Sequence, residues 1–183
     1  MNVRISVATI LASLGILFCG VSSCSSDGSN KHDAQTADSI AKEALMAVET
    51  EMEARSYRDS LTVNGKKYTI EVERKPDTSL PKVRLVDSTL YTDNTIFVRI
   101  AHADKSVLFQ KSFHKADFAS LIQDASFLQK AVLEGIALED ATEQGFTFTS
   151  GIGCPDTDLS ISFTIEVSLQ GTLSIKPEKS YDP

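Results

Sequence analysis

The sequence predicts a β-dominated α+β fold of about eight antiparallel strands, arranged as a meander that forms a sandwich or an open barrel. A helix is inserted between two strand groups and another precedes them. Three observations carry this. Leu159, Ile161, Phe163, Ile165, Val167 and Leu169 hold every odd position of one segment, with Ser, Thr and Glu at the even ones, the period of a half-buried strand. Asn64-Gly65 lies between two extended runs, where both residues tolerate the positive φ of a two-residue hairpin turn. The period lengthens to that of a helix near 37–57 and again over 115–133.

The elements follow in order. Ile40, Ala44, Leu45, Val48 and Met52 share one helical side, with Asp38 or Thr36 as the cap, so a helix is expected over 37–57. The hairpin of Leu61-Thr62-Val63-Asn64-Gly65-Lys66-Lys67-Tyr68 then turns Tyr68, Ile70 and Val72 to one face. Pro76 and Pro81 interrupt the pattern. Strands follow from Val83 to Tyr91, Thr95 to Ala101 and Val107 to Phe113, with turns at Asp93-Asn94 and Ala103-Asp104. Phe118, Leu121, Ile122, Ala125, Leu128 and Val132 suit one helix face, or two short helices broken near Ala125-Ser126, stopped by Gly135. The last strands are expected at Ile136–Ala141, Gly145–Ile152, Asp158–Leu169 and Thr172–Lys176, ahead of a frayed tail.

The N-terminus reads as an export signal. Met1 to Arg4 is a short basic start, and Ile5 to Phe18 is an uncharged apolar run of about 14 residues, whereas a bilayer-spanning helix needs roughly 20. Val21-Ser22-Ser23-Cys24 resembles the lipobox of bacterial lipoproteins, in which small residues precede a cysteine whose thiol accepts a diacylglyceryl unit. Cleavage is expected between Ser23 and Cys24. Cys19 competes poorly, because Phe18 occupies the position that calls for a small residue. The expected organisation is a signal peptide over 1–23, a lipidated cysteine with polar tether and helix over 24–58, and one β-rich domain over 59–183. Two or three acyl chains on Cys24 would hold such a protein firmly on a membrane.

The chain has 183 residues with 18 basic and 25 acidic side chains, and Arg4 is the only charged residue before Cys24. The mature count is therefore 17 − 25 = −8, a field that repels polyanions, so nucleic acid is not an expected partner. Removal of the leader leaves Cys154 as the lone unlipidated cysteine, expected to be buried like a small hydrophobe.

Chemistry-bearing residues are sparse. Cys154 with His102 or His114 has the composition of a thiolate pair but no local signature around the thiol. His32 lies in the polar tether. Asp156 and Asp158 flank a turn that offers two carboxylates, too few for a calcium loop, and an Asx-type turn is the expected role. Gly151-Ile152-Gly153 lacks the spacing of a phosphate-cradling loop and reads as a strand irregularity. No Gly-x-Ser-x-Gly elbow occurs, and the chain has no tryptophan for a sugar platform. No catalytic residue, metal or cofactor is expected.

Tyr91-Thr92-Asp93-Asn94-Thr95-Ile96-Phe97-Val98, Phe118 with Leu133-Glu134-Gly135, and Cys154-Pro155-Asp156-Thr157-Asp158 leading to Gly171-Thr172-Leu173-Ser174-Ile175 are similar to a family of lipoproteins from gut Bacteroidetes, known as domain of unknown function 4738. The resemblance spans roughly residues 60 to 176. It implies a Gram-negative host and a lipid-anchored place in the cell envelope, with no assigned activity. The family pattern carries an aromatic residue where this chain has Cys154, which argues against a shared nucleophile there. The expected function is a non-enzymatic envelope lipoprotein on the outer membrane that binds a partner protein or a small ligand. Two alternatives stand beside it: an enzyme of unfamiliar type with a cleft near the helix and the Cys154–Asp158 segment, and a structural spacer.

Overall fold

The computed structural model describes residues 48–85 and 87–178. Among the described residues eleven strands form: β1 (Glu49–Glu51), β2 (Arg55–Val63), β3 (Lys66–Pro76), β4 (Val83–Arg84), β5 (Leu90–Thr92), β6 (Asn94–His102), β7 (Val107–Phe113), β8 (Val132–Thr142), β9 (Gly145–Gly153), β10 (Ser160–Ser168) and β11 (Leu173–Pro177). A 3-10 helix (Lys115–Leu121) and a short helix α1 (Ala125–Lys130) join β7 to β8.

Eight of the strands make two four-stranded antiparallel sheets, ordered β2-β3-β6-β7 and β11-β10-β9-β8. The remaining three form a small sheet, β1-β5-β4, in which β1 runs parallel to β5. Neither large sheet closes on itself, so the expectation of a sandwich or open barrel resolves without a closed barrel.

The two inner faces share one core. Tyr68, Ile70, Val72, Ile96, Val98 and Ile100 come from the first sheet, and Phe146, Phe148, Ile152, Phe163, Ile165 and Val167 from the second. The Tyr68 and Phe146 rings meet edge-on at 5.1 Å between centroids, joining the sheets directly. Phe118, from the 3-10 helix, is fully buried and packs on Phe163 at 5.1 Å, closing one side.

The β2–β3 hairpin is built as its dipeptide demands: Asn64 has φ 50° and Gly65 φ 71°, and Val63 pairs with Lys66 across the turn. β10 alternates as its sequence requires, with Phe163, Ile165 and Val167 inward.

Several expectations fail for physical reasons. The helix over 37–57 is absent from its described part: 49–51 and 55–57 are strand, held by pairing with Leu90–Thr92 and with β3, while 37–47 lie outside the described residues. The stretch 83–91 is two short strands, not one. Asp93-Asn94 is no exposed turn, since both residues are buried where β5 passes into β6. The helical period of 115–133 is realised as the two short helices, broken at Gln123, because the Asp124 carboxylate caps Ser126 N–H (2.8 Å) and Phe127 N–H (3.0 Å) and starts α1 afresh. Gly135 stops no helix; it lies inside β8, whose register slips by one residue around Glu134.

Candidate functional site

Asp93 and Asn94 organise the junction between the sheets. The Asp93 carboxylate accepts the Leu133 N–H (2.8 Å) and the Asn94 N–H (2.8 Å), while the Asn94 amide donates to the Leu133 carbonyl (2.8 Å). The side chains of Asp93, just before β6, and of Asn94, its first residue, thus bond both backbone groups of one residue at the start of β8, in place of a strand neighbour. The Lys115 ammonium stands 3.1 Å from the other Asp93 oxygen and also donates to the Ala131 carbonyl, neutralising a carboxylate that is 3% exposed.

Glu134 is the extra residue of the β8 irregularity, and its side chain lies across β9. A Cβ added at Gly153 would collide with the Glu134 carboxylate, and one at Gly151 would stand 3.1 Å from it. The irregularity expected at these glycines sits instead on the facing strand β8; their own strand pairs without a break with β10, and the glycines leave room for the Glu134 carboxylate of β8.

Beside this irregularity runs a groove of about 500 Å³. Its walls are Tyr57 and Val72 on the hairpin and Ile136, Ala137 and Thr149 on the second sheet, with Met52 beside Asn94. Residues 55, 57 and 59 face the core side of β2, opposite Arg74, Val72 and Ile70, yet all three are exposed, so this end of the hairpin overhangs the opposite sheet and roofs the groove. Arg74 closes one end, donating to the carbonyls of Glu134 and Glu53 (2.8 Å to the latter). Burial, then the neighbouring Arg55 guanidinium, pulls its pKa below the ordinary arginine value. Arg55 is its direct cross-strand neighbour, so two like charges are opposed in register.

The residues singled out from sequence lie elsewhere. Cys154 is free and buried at the end of β9; burial pushes its thiol up, opposed first by the Lys130 charge. Its carbonyl accepts the Thr157 hydroxyl (2.8 Å), and the Thr157 oxygen in turn accepts Leu159 N–H (3.2 Å), so threonine rather than aspartate closes this turn. Asp156 has φ 60° and accepts the Tyr91 phenol at 2.9 Å; burial, then this hydrogen bond, raises the tyrosine pKa. Asp158 is exposed. His102 packs against Tyr68 with the rings tilted at 44° and centroids 5.1 Å apart, and His114 precedes the 3-10 helix, its backbone N–H held by Asp117 at 2.8 Å. Neither histidine is among the charged neighbours of the Cys154 thiol, which are Lys130, Asp124, Glu134 and Lys115. Ser23, Cys24 and His32 lie outside the described residues.

Among the described residues, no three His, Cys, Asp or Glu side chains gather as metal ligands, and no helix is long and apolar enough to cross a membrane.

The sequence pattern of a family described as Domain of unknown function (DUF4738) matches residues 33–175. The chain belongs to this family. Of the segments that carry the resemblance, Asp93-Asn94 and Leu133-Glu134-Gly135 sit at the inter-sheet junction, whereas Phe118, Cys154–Asp158 and Gly171–Ile175 lie elsewhere in the fold. No curated protein matches the chain.

Proposed function

We propose that this chain is a cell-envelope lipoprotein, anchored by acyl chains on Cys24, whose β-rich domain is a non-catalytic binding module with the β2–β8 groove as its receiving surface. The observation that carries the binding role is the groove itself: about 500 Å³, walled by Tyr57, Val72, Ile136 and Ala137, with Arg55 and Arg74 at one end. Its size is that of a small-ligand site, and the combination of apolar wall and few polar groups is the usual one. A ligand with an apolar body and an anionic end suits it, because an anion would relieve the repulsion between the two guanidinium groups. The leader's short apolar core and Val21-Ser22-Ser23-Cys24 carry the anchoring, and a Gram-negative outer membrane is the site this reading assigns.

The two halves are tested separately. Cys24→Ala should abolish labelled fatty-acid incorporation and membrane partition, and retention of both would refute the anchor. A photoreactive side chain at Ala137 should give a discrete adduct in intact cells that Tyr57→Ala weakens. If the adduct is absent, or is indifferent to Tyr57→Ala, the groove has no such role. Protease shaving of whole cells assigns the orientation.

A further inference from the structure

We propose that β2 is a self-complementary edge through which two copies of this chain pair antiparallel, each contributing Asp59 to the Arg55 end of the other's groove. This goes beyond the ligand-binding reading and does not depend on it.

β2 is the end strand of its sheet, nine residues long, and its register with β3 runs unbroken from Arg55 to Val63. Natural sheets blunt such edges with irregularities or cover them. β8 and the β6–β7 pair show register shifts, whereas β2 has none. The two-residue turn fixes its polarity. Val63 and Lys66 form the closing hydrogen-bonded pair, so odd residues of β2 bond β3 and the backbone groups of Ser56, Arg58, Ser60 and Thr62 face the free edge. Among the described residues these groups have no backbone partner, and only the Ser60 N–H is engaged, by the Asp59 carboxylate at 2.7 Å.

The side chains select the partner and the register. A two-fold axis perpendicular to the sheet must pass through a residue, so that paired side chains share a face. Centred on Arg58 or Asp59, it opposes like charges; centred on Ser60, it sets Asp59 against Leu61. Centred on Tyr57, it pairs Tyr57 with its own copy, Ser56 with Arg58 through mutual backbone bonds, and Arg55 with Asp59 twice. Arg55 enters no ion pair among the described residues. Tyr57 is 47% exposed, one of the few large apolar side chains left in solvent among the described residues. Arg58 points to the opposite face and keeps Glu71 at 3.3 Å, so the pairing breaks no existing ion pair.

The test uses the full chain in detergent, with crosslinking under mild oxidation and the unsubstituted chain as baseline. Position 57 would face itself at a non-hydrogen-bonded pair, with Cα atoms about 4.5 Å apart, within disulfide reach. Tyr57→Cys should give a covalent dimer, and Thr62→Cys, far from the axis, should not. Equal crosslinking at both positions, or none at 57, overturns the proposal. Asp59→Arg should weaken dimerisation in sedimentation about ten-fold, since two attractive cross-strand pairs become repulsive. Adding Arg55→Asp to it should restore the dimer. Failure of that rescue in variants that keep the parent melting transition also overturns it.

Discussion

Replacing Asp93 by alanine should remove the fastening between the sheets without touching the apolar core. Three partners lose their acceptor at once: the Leu133 N–H at 2.8 Å, the Asn94 N–H at 2.8 Å and the Lys115 ammonium at 3.1 Å. Leu133 and Asn94 are both 0% exposed, so water cannot replace the carboxylate without opening the junction. An orphaned buried donor costs about 1–3 kcal/mol, and a buried ion pair broken on one side about 3–5. The Lys115 side chain keeps 18% of its exposure and recovers part of its solvation, so the expected loss is about 4 kcal/mol. Against a typical domain stability of about 5–15 kcal/mol this is a large fraction. Urea unfolding followed by far-ultraviolet dichroism should show the midpoint falling by about 2 M with an unchanged slope. Lys115→Met, combined with Asp93→Ala in a double-mutant cycle, should show coupling above about 1 kcal/mol. A loss under about 1.5 kcal/mol for Asp93→Ala, or additive single effects, would refute the assigned role.

Gly145→Ala should destabilise by about 3 kcal/mol or more, because φ is 146° and the new Cβ meets the Val167 carbonyl; Gly65→Ala, at φ 71° with nothing within 4 Å, should cost only about 1 kcal/mol. Paired melting curves decide this. Hydrogen bonds from the Ser79 hydroxyl, then the Thr95 hydroxyl at 2.6 Å, hold the Asp77 carboxyl at about 2 instead of 3.8. A depressed carboxylate stabilises the fold above its unfolded value, and that contribution disappears as pH falls through about 2, so Asp77→Asn should flatten the loss of stability between pH 3.8 and about 2. Cys154, buried with its thiol raised, should react with an aromatic disulfide reagent at mildly alkaline pH only as fast as the domain opens. Labelling at the rate of a free peptide thiol would contradict its burial.

What the sequence made legible is what neighbours in the chain decide. The alternation of Phe163, Ile165 and Val167 and the Asn64-Gly65 turn depend on contacts a few residues apart, and both appear as read. Asp93-Asn94 misled because aspartate and asparagine usually bond their own backbone in turns. Here their partner is Leu133, 40 residues away for Asp93, and no local pattern reports such a bond. The stripe ending at Met52 gave a helical period, but the pairing of Glu49–Glu51 with Leu90–Thr92 decides those residues. The groove was illegible for the same reason: Arg55, Tyr57, Arg74, Ile136 and Gly151 come from four strands, and none carries a motif. One signal was present, the Gly-x-Gly of β9 opposite Glu134, whose meaning as a slot for that carboxylate needs the β8–β9 register.

The small sheet has a kinetic consequence. β1 spans three residues, mostly exposed, and touches the fold chiefly through Leu90–Thr92 and an ion pair from Glu49 to Lys82. Parting it uncovers little apolar surface, so its amide protons should exchange far sooner than those of β9 and β10. A pull arriving from the N-terminal side would peel these three residues away first and leave the layered core shut behind them.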